Sequence, residues 1–193
     1  LLFLANTDEG QQLLKNNDLL GKITKEGLNA VVAEGEANGK SPLFFLAETP
    51  EGQQLLKNNL RDKITKKGLN AVIAEGEEKG HSALCCLAGT SQGRDLFIDD
   101  KDLRGKITIE VLNAVIDKEG GANGNSPLLS LVHTNKGQQL LINDKVLRGK
   151  ITAQGLNAVV AGGQHRGKSA LFFIASSPEA VSYTHLTLPT TWL

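Results

Sequence analysis

Leu69-Asn70-Ala71-Val72 is the stretch on which the reading of this chain turns. It returns as Leu28-Asn29-Ala30-Val31, Leu112-Asn113-Ala114-Val115 and Leu156-Asn157-Ala158-Val159. The four asparagines stand 41, 43 and 44 residues apart. The frame around them recurs too: Gly-x-Ser places Ser41, Ser82, Ser126 and Ser169, and Thr-x-x-Gly opens at Thr7, Thr49, Thr90 and Thr134. Self-similarity at a period of roughly 20–50 residues marks an array in which each unit buries its apolar face against its neighbours.

Residues 41–81 show what one unit should do. Ser41-Pro42 reads as a helix start, with Ser accepting from free backbone N–H groups and Pro in the first turn, where its missing N–H costs nothing. The Leu43-Phe44-Phe45-Leu46-Ala47 run that follows is apolar nearly all round and belongs inside the stack. Thr49-Pro50-Glu51 starts a second helix, with Leu55 and Leu56 inward and Gln53 and Gln54 outward at least in part. Lys63-Ile64-Thr65 starts a third, in which Ile64 can staple onto Leu69. Leu69, Val72 and Ile73 then follow at i, i+3 and i+4, one helical face. The expected core is Leu43, Leu46, Leu56, Ile64, Leu69 and Val72 with their counterparts. A polar, Gly-rich loop returns the chain to the next Ser.

The expectation is an all-α helical-repeat solenoid of about four units, each about 42 residues with three short helices. The units are 1–40, 41–81, 82–125 and 126–168, with a partial one at 169–180, in a single array over 1–180. Thr-to-Asn separations of 22, 21, 23 and 23 residues vary more than Asn-to-Ser separations of 12, 12, 13 and 12. The variable connection therefore lies between the second and third helices.

Among 193 residues, 21 basic and 21 acidic side chains cancel. Balanced charge argues against a nucleic-acid binder, which needs clustered Lys and Arg for phosphates, and no apolar run is long enough to span a membrane. Cys85 and Cys86 replace the Phe44-Phe45 pair and read as small apolar packers, fitting a reducing cytosol better than an oxidising exterior. The chain has no methionine, and Leu1-Leu2-Phe3-Leu4-Ala5 enters mid-motif. The tail from Val181 resembles a translated sequencing adapter, so residues 181–193 are expected to be non-native and disordered. The first and last units are expected to expose apolar helices through which copies could self-associate.

The run from Ser41, Ser82 and Ser126 into Thr-x-x-Gly resembles the ankyrin repeat, whose Gly-x-Thr-Pro-Leu-His-x-Ala-Ala-x-x-Gly it follows in outline. Leu-Asn-Ala-Val falls where ankyrins carry Val-Asn-Ala before their finger loop. The helix-one His is replaced by Phe45, Cys86 or Ser130, and the period is about nine residues longer. The chain is thus similar to the longer ankyrin-related repeats found in proteins of intracellular bacteria. An armadillo-like array is the alternative. Either resemblance implies a protein-binding module of a larger protein, here a bacterial factor acting on host proteins, rather than a catalyst.

Gly162-Gly163-Gln164-His165-Arg166-Gly167-Lys168-Ser169 satisfies the phosphate-loop pattern Gly-x-x-x-x-Gly-Lys-Ser, which would make the chain a nucleotide-binding enzyme. The equivalent loops are plain polar connections, and no parallel-sheet pattern supports this reading. Asn29, Asn70, Asn113 and Asn157 have two readings: a structural ladder satisfying backbone groups, or a row of amides reading an extended peptide. Gln53, Gln54, Gln138 and Gln139 on the second helix, and Arg166 and Lys168 in the last loop, complete the candidate contact set. Loop 33–40 carries one net negative charge and loop 161–168 two net positive charges, so the surface is graded in charge. His81, His133 and His165 share no ligand spacing. No metal, cofactor or catalytic set is expected.

Overall fold

The computed structural model describes residues 1–35, 37–76, 78–116, 125–162 and 165–176. Among them the chain is all-α, and extended pairing is confined to the isolated bridges Val72–Ser82 and Val159–Ser169. The helices fall in register. Residues 1–40 carry α1 (Leu2–Ala5), α2 (Asp8–Leu13), α3 (Asn17–Lys22) and α4 (Lys25–Asn29). Residues 41–81 carry α5 (Pro42–Glu48), α6 (Pro50–Leu55), a π turn (Leu56–Leu60), a 3-10 turn (Arg61–Lys63) and α7 (Lys66–Leu69). Next come α8 (Ala83–Gly89), α9 (Ser91–Asp99), α10 (Lys101–Lys106) and α11 (Ile109–Asn113). The last set is α12 (Pro127–Val132), α13 (Asn135–Asn143), α14 (Lys145–Arg148), α15 (Ala153–Asn157) and then α16 (Ala170–Ala175).

The expected starts are caps of the expected kind. Ser41 Oγ accepts from Phe44 N–H (3.1 Å), Thr49 Oγ1 from Gly52 N–H (3.1 Å) and Thr65 Oγ1 from Gly68 N–H (3.0 Å). Each first helix packs on its counterpart along the chain: α5 lies against α1 and α8, and α12 against α8 and α16. Leu43, Leu46, Leu56, Ile64 and Leu69 are fully buried there. The glycine of Thr-x-x-Gly is where consecutive helices touch. A Cβ at Gly52 would lie 2.3 Å from Leu46 O, and one at Gly93 would lie 2.2 Å from Leu87 O. Only glycine fits that crossing.

Three expectations are corrected. The second of the three expected helices is two in most segments, because Asn16, Asp100 and Asp144 cap a fresh start. Asp100 Oδ1 accepts from Leu103 N–H, and Asp144 Oδ1 from Leu147 N–H, both at 2.9 Å. Residues 41–81, shorter by one or two residues, lack that cap and run on through the π and 3-10 turns.

Val72 is 42% exposed, not core. The Leu-Asn-Ala-Val helix stops at the asparagine, and the next residues are extended. Ile73 N–H donates to His81 O (2.9 Å) and Gly80 N–H to Ile73 O (2.8 Å), with Gly80 at φ +87° as the hairpin requires. Alternation along this short extended piece sends Ile73 inward and Val72 outward, and the same bonds join Val32 to Lys40 and Val160 to Lys168. Third, Gln53, expected to face outward at least in part, is buried, as is Gln138, named as a candidate contact. The expectations for residues 181–193 lie outside the described residues.

Candidate functional site

The recurring polar residues join each segment to the next. Asn70 ends α7, and its Nδ2 amide donates to Lys66 O (2.6 Å) and to Lys106 O of the next segment (2.8 Å). Its Oδ1 accepts from Thr108 N–H at 2.9 Å. Asn29 does the same with Lys63 O (2.8 Å) and Thr65 N–H (3.0 Å), and Asn113 with Lys150 O (2.8 Å) and Thr152 N–H (2.9 Å). Both amide hydrogens and the carbonyl are thereby engaged, the most an Asn can offer apart from a second lone pair. Asn157 makes the local bond to Ala153 O (2.8 Å). The geometry is that of a structural ladder, with three of the four amides occupied by the neighbouring segment.

A second ladder runs through the glutamines. Gln53 Nε2 donates to Ala47 O (2.8 Å), capping the end of α5, while its Oε1 accepts from Thr90 Oγ1 (2.8 Å). Gln11 repeats this with Ala5 O (2.7 Å) and Thr49 Oγ1 (2.6 Å). Gln138 Nε2 reaches Val132 O (2.6 Å), but its buried Oε1 has no hydrogen-bond partner among the described residues. Arg94 takes the position in α9. It donates to Ala88 O at 2.9 Å but has no acceptor to offer, so Thr134 Oγ1 turns to Leu131 O at 3.3 Å.

A third ladder was missed in the sequence. Lys63, Lys106 and Lys150 extend their ammonium groups to the preceding segment, where Ile23 O (2.7 Å), Ile64 O (2.7 Å) and Ile107 O (2.6 Å) accept. The signal was present in Lys-Ile-Thr, but a lysine on a surface connection reads as solvated. Arg104, which pairs with Asp144 and donates to Phe97 O, was missed for the same reason.

With these residues occupied, the side chains that differ between segments stand out. They line the edge where each hairpin meets the end of the first helix. At the first hairpin, Lys40 pairs with Glu78 (2.5 Å) and lies over the Phe45 ring (5.4 Å). Beside them, partial burial raises the Glu48 carboxyl from 4.5 to about 7; the neighbouring Glu78 adds to this and Lys40 opposes it. Cys85 and Cys86 are free thiols, and burial pushes Cys85 up to about 12, which suits inert packing rather than nucleophilic work. Register places Lys40, His81, Asn125 and Lys168 at one position of this edge. Glu48, Gly89, His133 and Ser176 share another.

The other candidates are scattered. Gln54 and Arg166 are exposed, while Gln139 is half-buried in a groove of about 1010 Å³ with Asp95, Asp99, Lys101 and Asp144. In the phosphate-loop-like segment, Gly163 and Gln164 lie outside the described residues. Gly167 N–H is taken by Val160 O (2.8 Å), Lys168 N–H by His165 O (3.0 Å), and Ser169 Oγ caps Phe172 N–H (3.2 Å). Lys168 Nζ sits over the Phe172 and Phe173 rings at 5.6 and 5.5 Å. Those backbone donors are therefore not gathered into a cradle. His133 and His165, unrelated in sequence spacing, have ring centroids 4.3 Å apart. Among the described residues, no group of three or more His, Cys, Asp or Glu could hold a metal ion, and no helix is long and apolar enough to cross a membrane. No family model, curated protein or solved structure matches the chain.

Proposed function

We propose that this chain is an ankyrin-like helical-repeat solenoid of about four units whose hairpin edge binds a protein partner. One observation carries the reading. The positions that are constant from unit to unit are occupied in joining units, whereas the position held by Glu48, Gly89, His133 and Ser176 changes and is exposed in each unit. A repeated frame with variable, regularly spaced side chains is how solenoids present an extended binding surface. The charge also changes along that edge, from Lys40, Glu48 and Glu78 to His133, His165 and Lys168, so a partner would be recognised in one direction only.

The test is site-specific photo-crosslinking of the full chain in lysate of its source. Crosslinkers at Glu48 and His133 should give the same discrete protein adduct, and one at Lys101 on the opposite helices should not. Adducts from Lys101 alone would overturn the assignment of the face. The nucleotide-binding reading makes a separate claim: ATP–Mg²⁺ binding that is lost in Lys168→Ala would replace this proposal.

A further inference from the structure

At the junction of the third and fourth segments, the hairpin edge opens into a hollow of about 290 Å³ lined by Gly89, Arg94, Asn125, Ser130, His133 and His165. Two substitutions within the repeated frame create it. Gly89 stands where Glu48 and His133 stand in neighbouring segments, and a Cβ there would meet nothing within 4 Å. Arg94 stands where Gln11, Gln53 and Gln138 stand elsewhere.

The lining is rich in donors: a guanidinium, an amide, a hydroxyl and two imidazoles. Among the described residues, no carboxylate lines it. The two imidazoles are held by Phe173, whose ring centroid lies 5.2 Å from His133 and 5.3 Å from His165. Among the described residues, Nδ1 of His165 is buried without a hydrogen-bond partner. Desolvation, then His133, then Lys168 hold the His165 imidazole below its ordinary pKa. The one acid beside Arg94 along the chain, Asp95, is bound by Lys136 at 3.2 Å. Arg94 is the charged side chain lining the hollow among the described residues, and Lys168 is near enough to act on His165.

We propose that this hollow binds a phosphate-class oxyanion, free or carried on a side chain of a bound protein. The missing component of the cluster is a compact group with several acceptors and negative charge. Such a group would accept from the Arg94 fork and from the His165 imidazole, whose charged form it would favour. The volume lies at the small end for ligand sites, which suits a single phosphoryl group rather than a nucleotide. The site is made of side chains and is separate from the backbone-cradle reading of residues 162–169. It stands whether or not a protein partner binds the rest of the edge.

The test is imidazole NMR on the full chain during titration with inorganic phosphate, with sodium chloride as the ionic-strength control. The His133 and His165 signals should shift saturably with phosphate and not with chloride. The His165 pKa should rise in its presence, and binding should weaken as His165 loses its proton. Arg94→Gln installs the residue that the other segments carry, so it should leave the fold intact and abolish the shift. His165→Gln should weaken binding and remove its pH dependence. O-phosphoserine in a short peptide distinguishes the sources: tighter binding than inorganic phosphate assigns the site to a phosphorylated partner, and equal or weaker binding assigns it to the free ion. Shifts equal in chloride, or unchanged in Arg94→Gln, would overturn the proposal.

Discussion

The junction at Gln53 and the junction at Arg94 stand at the same place in the repeated frame and carry different side chains at the linking position. At the first, Gln53 caps the end of α5 and also accepts from Thr90 in the next segment. At the second, Arg94 keeps the cap on Ala88 O but loses the second bond, so Thr134 turns back to its own helix. The difference separates two tasks. Closing the end of a helix needs only a donor, and Arg or Gln serves. Linking segments needs donor and acceptor in one group, and only the amide serves. Where the link is released, the edge opens into the hollow beside His133 and His165.

The largest effect should be the same at both junctions. Gly52→Ala and Gly93→Ala each force a Cβ to within 2.3 and 2.2 Å of a helix-end carbonyl oxygen. Each should cost about 3 kcal/mol or more, since backbone cannot yield as a side chain can. Gly105→Ala, with nothing within 4 Å of its Cβ, should be neutral or gain up to about 1 kcal/mol in α10. Denaturant melts of the three variants check this; similar costs at Gly93 and Gly105 would mean the helix crossing is misplaced.

The asparagine ladder comes next. Asn70→Ala leaves Lys106 O and Thr108 N–H without a partner and should lose about 2–3 kcal/mol. Asn157→Ala removes, among the described residues, the bond to Ala153 O and should lose about 0.5 kcal/mol. Equal losses by chemical denaturation would argue against the inter-segment bonds.

A smaller, pH-dependent effect belongs to Glu48. Its carboxyl holds a proton more tightly in the folded chain, with a pKa raised from 4.5 to about 7, than in the unfolded one. Stability from this group is therefore full below about pH 4.5 and falls as pH rises towards about 7. Glu48→Gln should flatten that part of the profile in urea melts taken across the range.

Much of this was legible in the residues. Ser and Thr caps, Thr-x-x-Gly, the buried leucines and the asparagine ladder follow from local chemistry repeated in register. What was missed has physical causes. Residues 41–81 are the one segment in which a π turn replaces the Asn or Asp cap, so reading the unit from them merged two helices. Leu69, Val72 and Ile73 satisfy helical spacing, yet the extended piece holding the last two is too short for its alternation to register. Gln53 was expected to face outward at least in part and Lys106 was not singled out, because their backbone acceptors at helix ends belong to the fold, not to the local sequence. The meeting of His133 with His165 likewise depends on a hairpin returning beside a helix end.

The most direct measurement is a pair of double-mutant cycles across the two junctions: Gln53→Ala with Thr90→Val, and Arg94→Ala with Thr134→Val, each read by equilibrium denaturation. Both threonines also cap their own helices, and the cycle cancels that shared cost. The expected result is a coupling of about 1 kcal/mol between Gln53 and Thr90, and none beyond error between Arg94 and Thr134. Equal coupling at the two junctions, or none at either, would contradict the claim that the constant amides link one segment to the next.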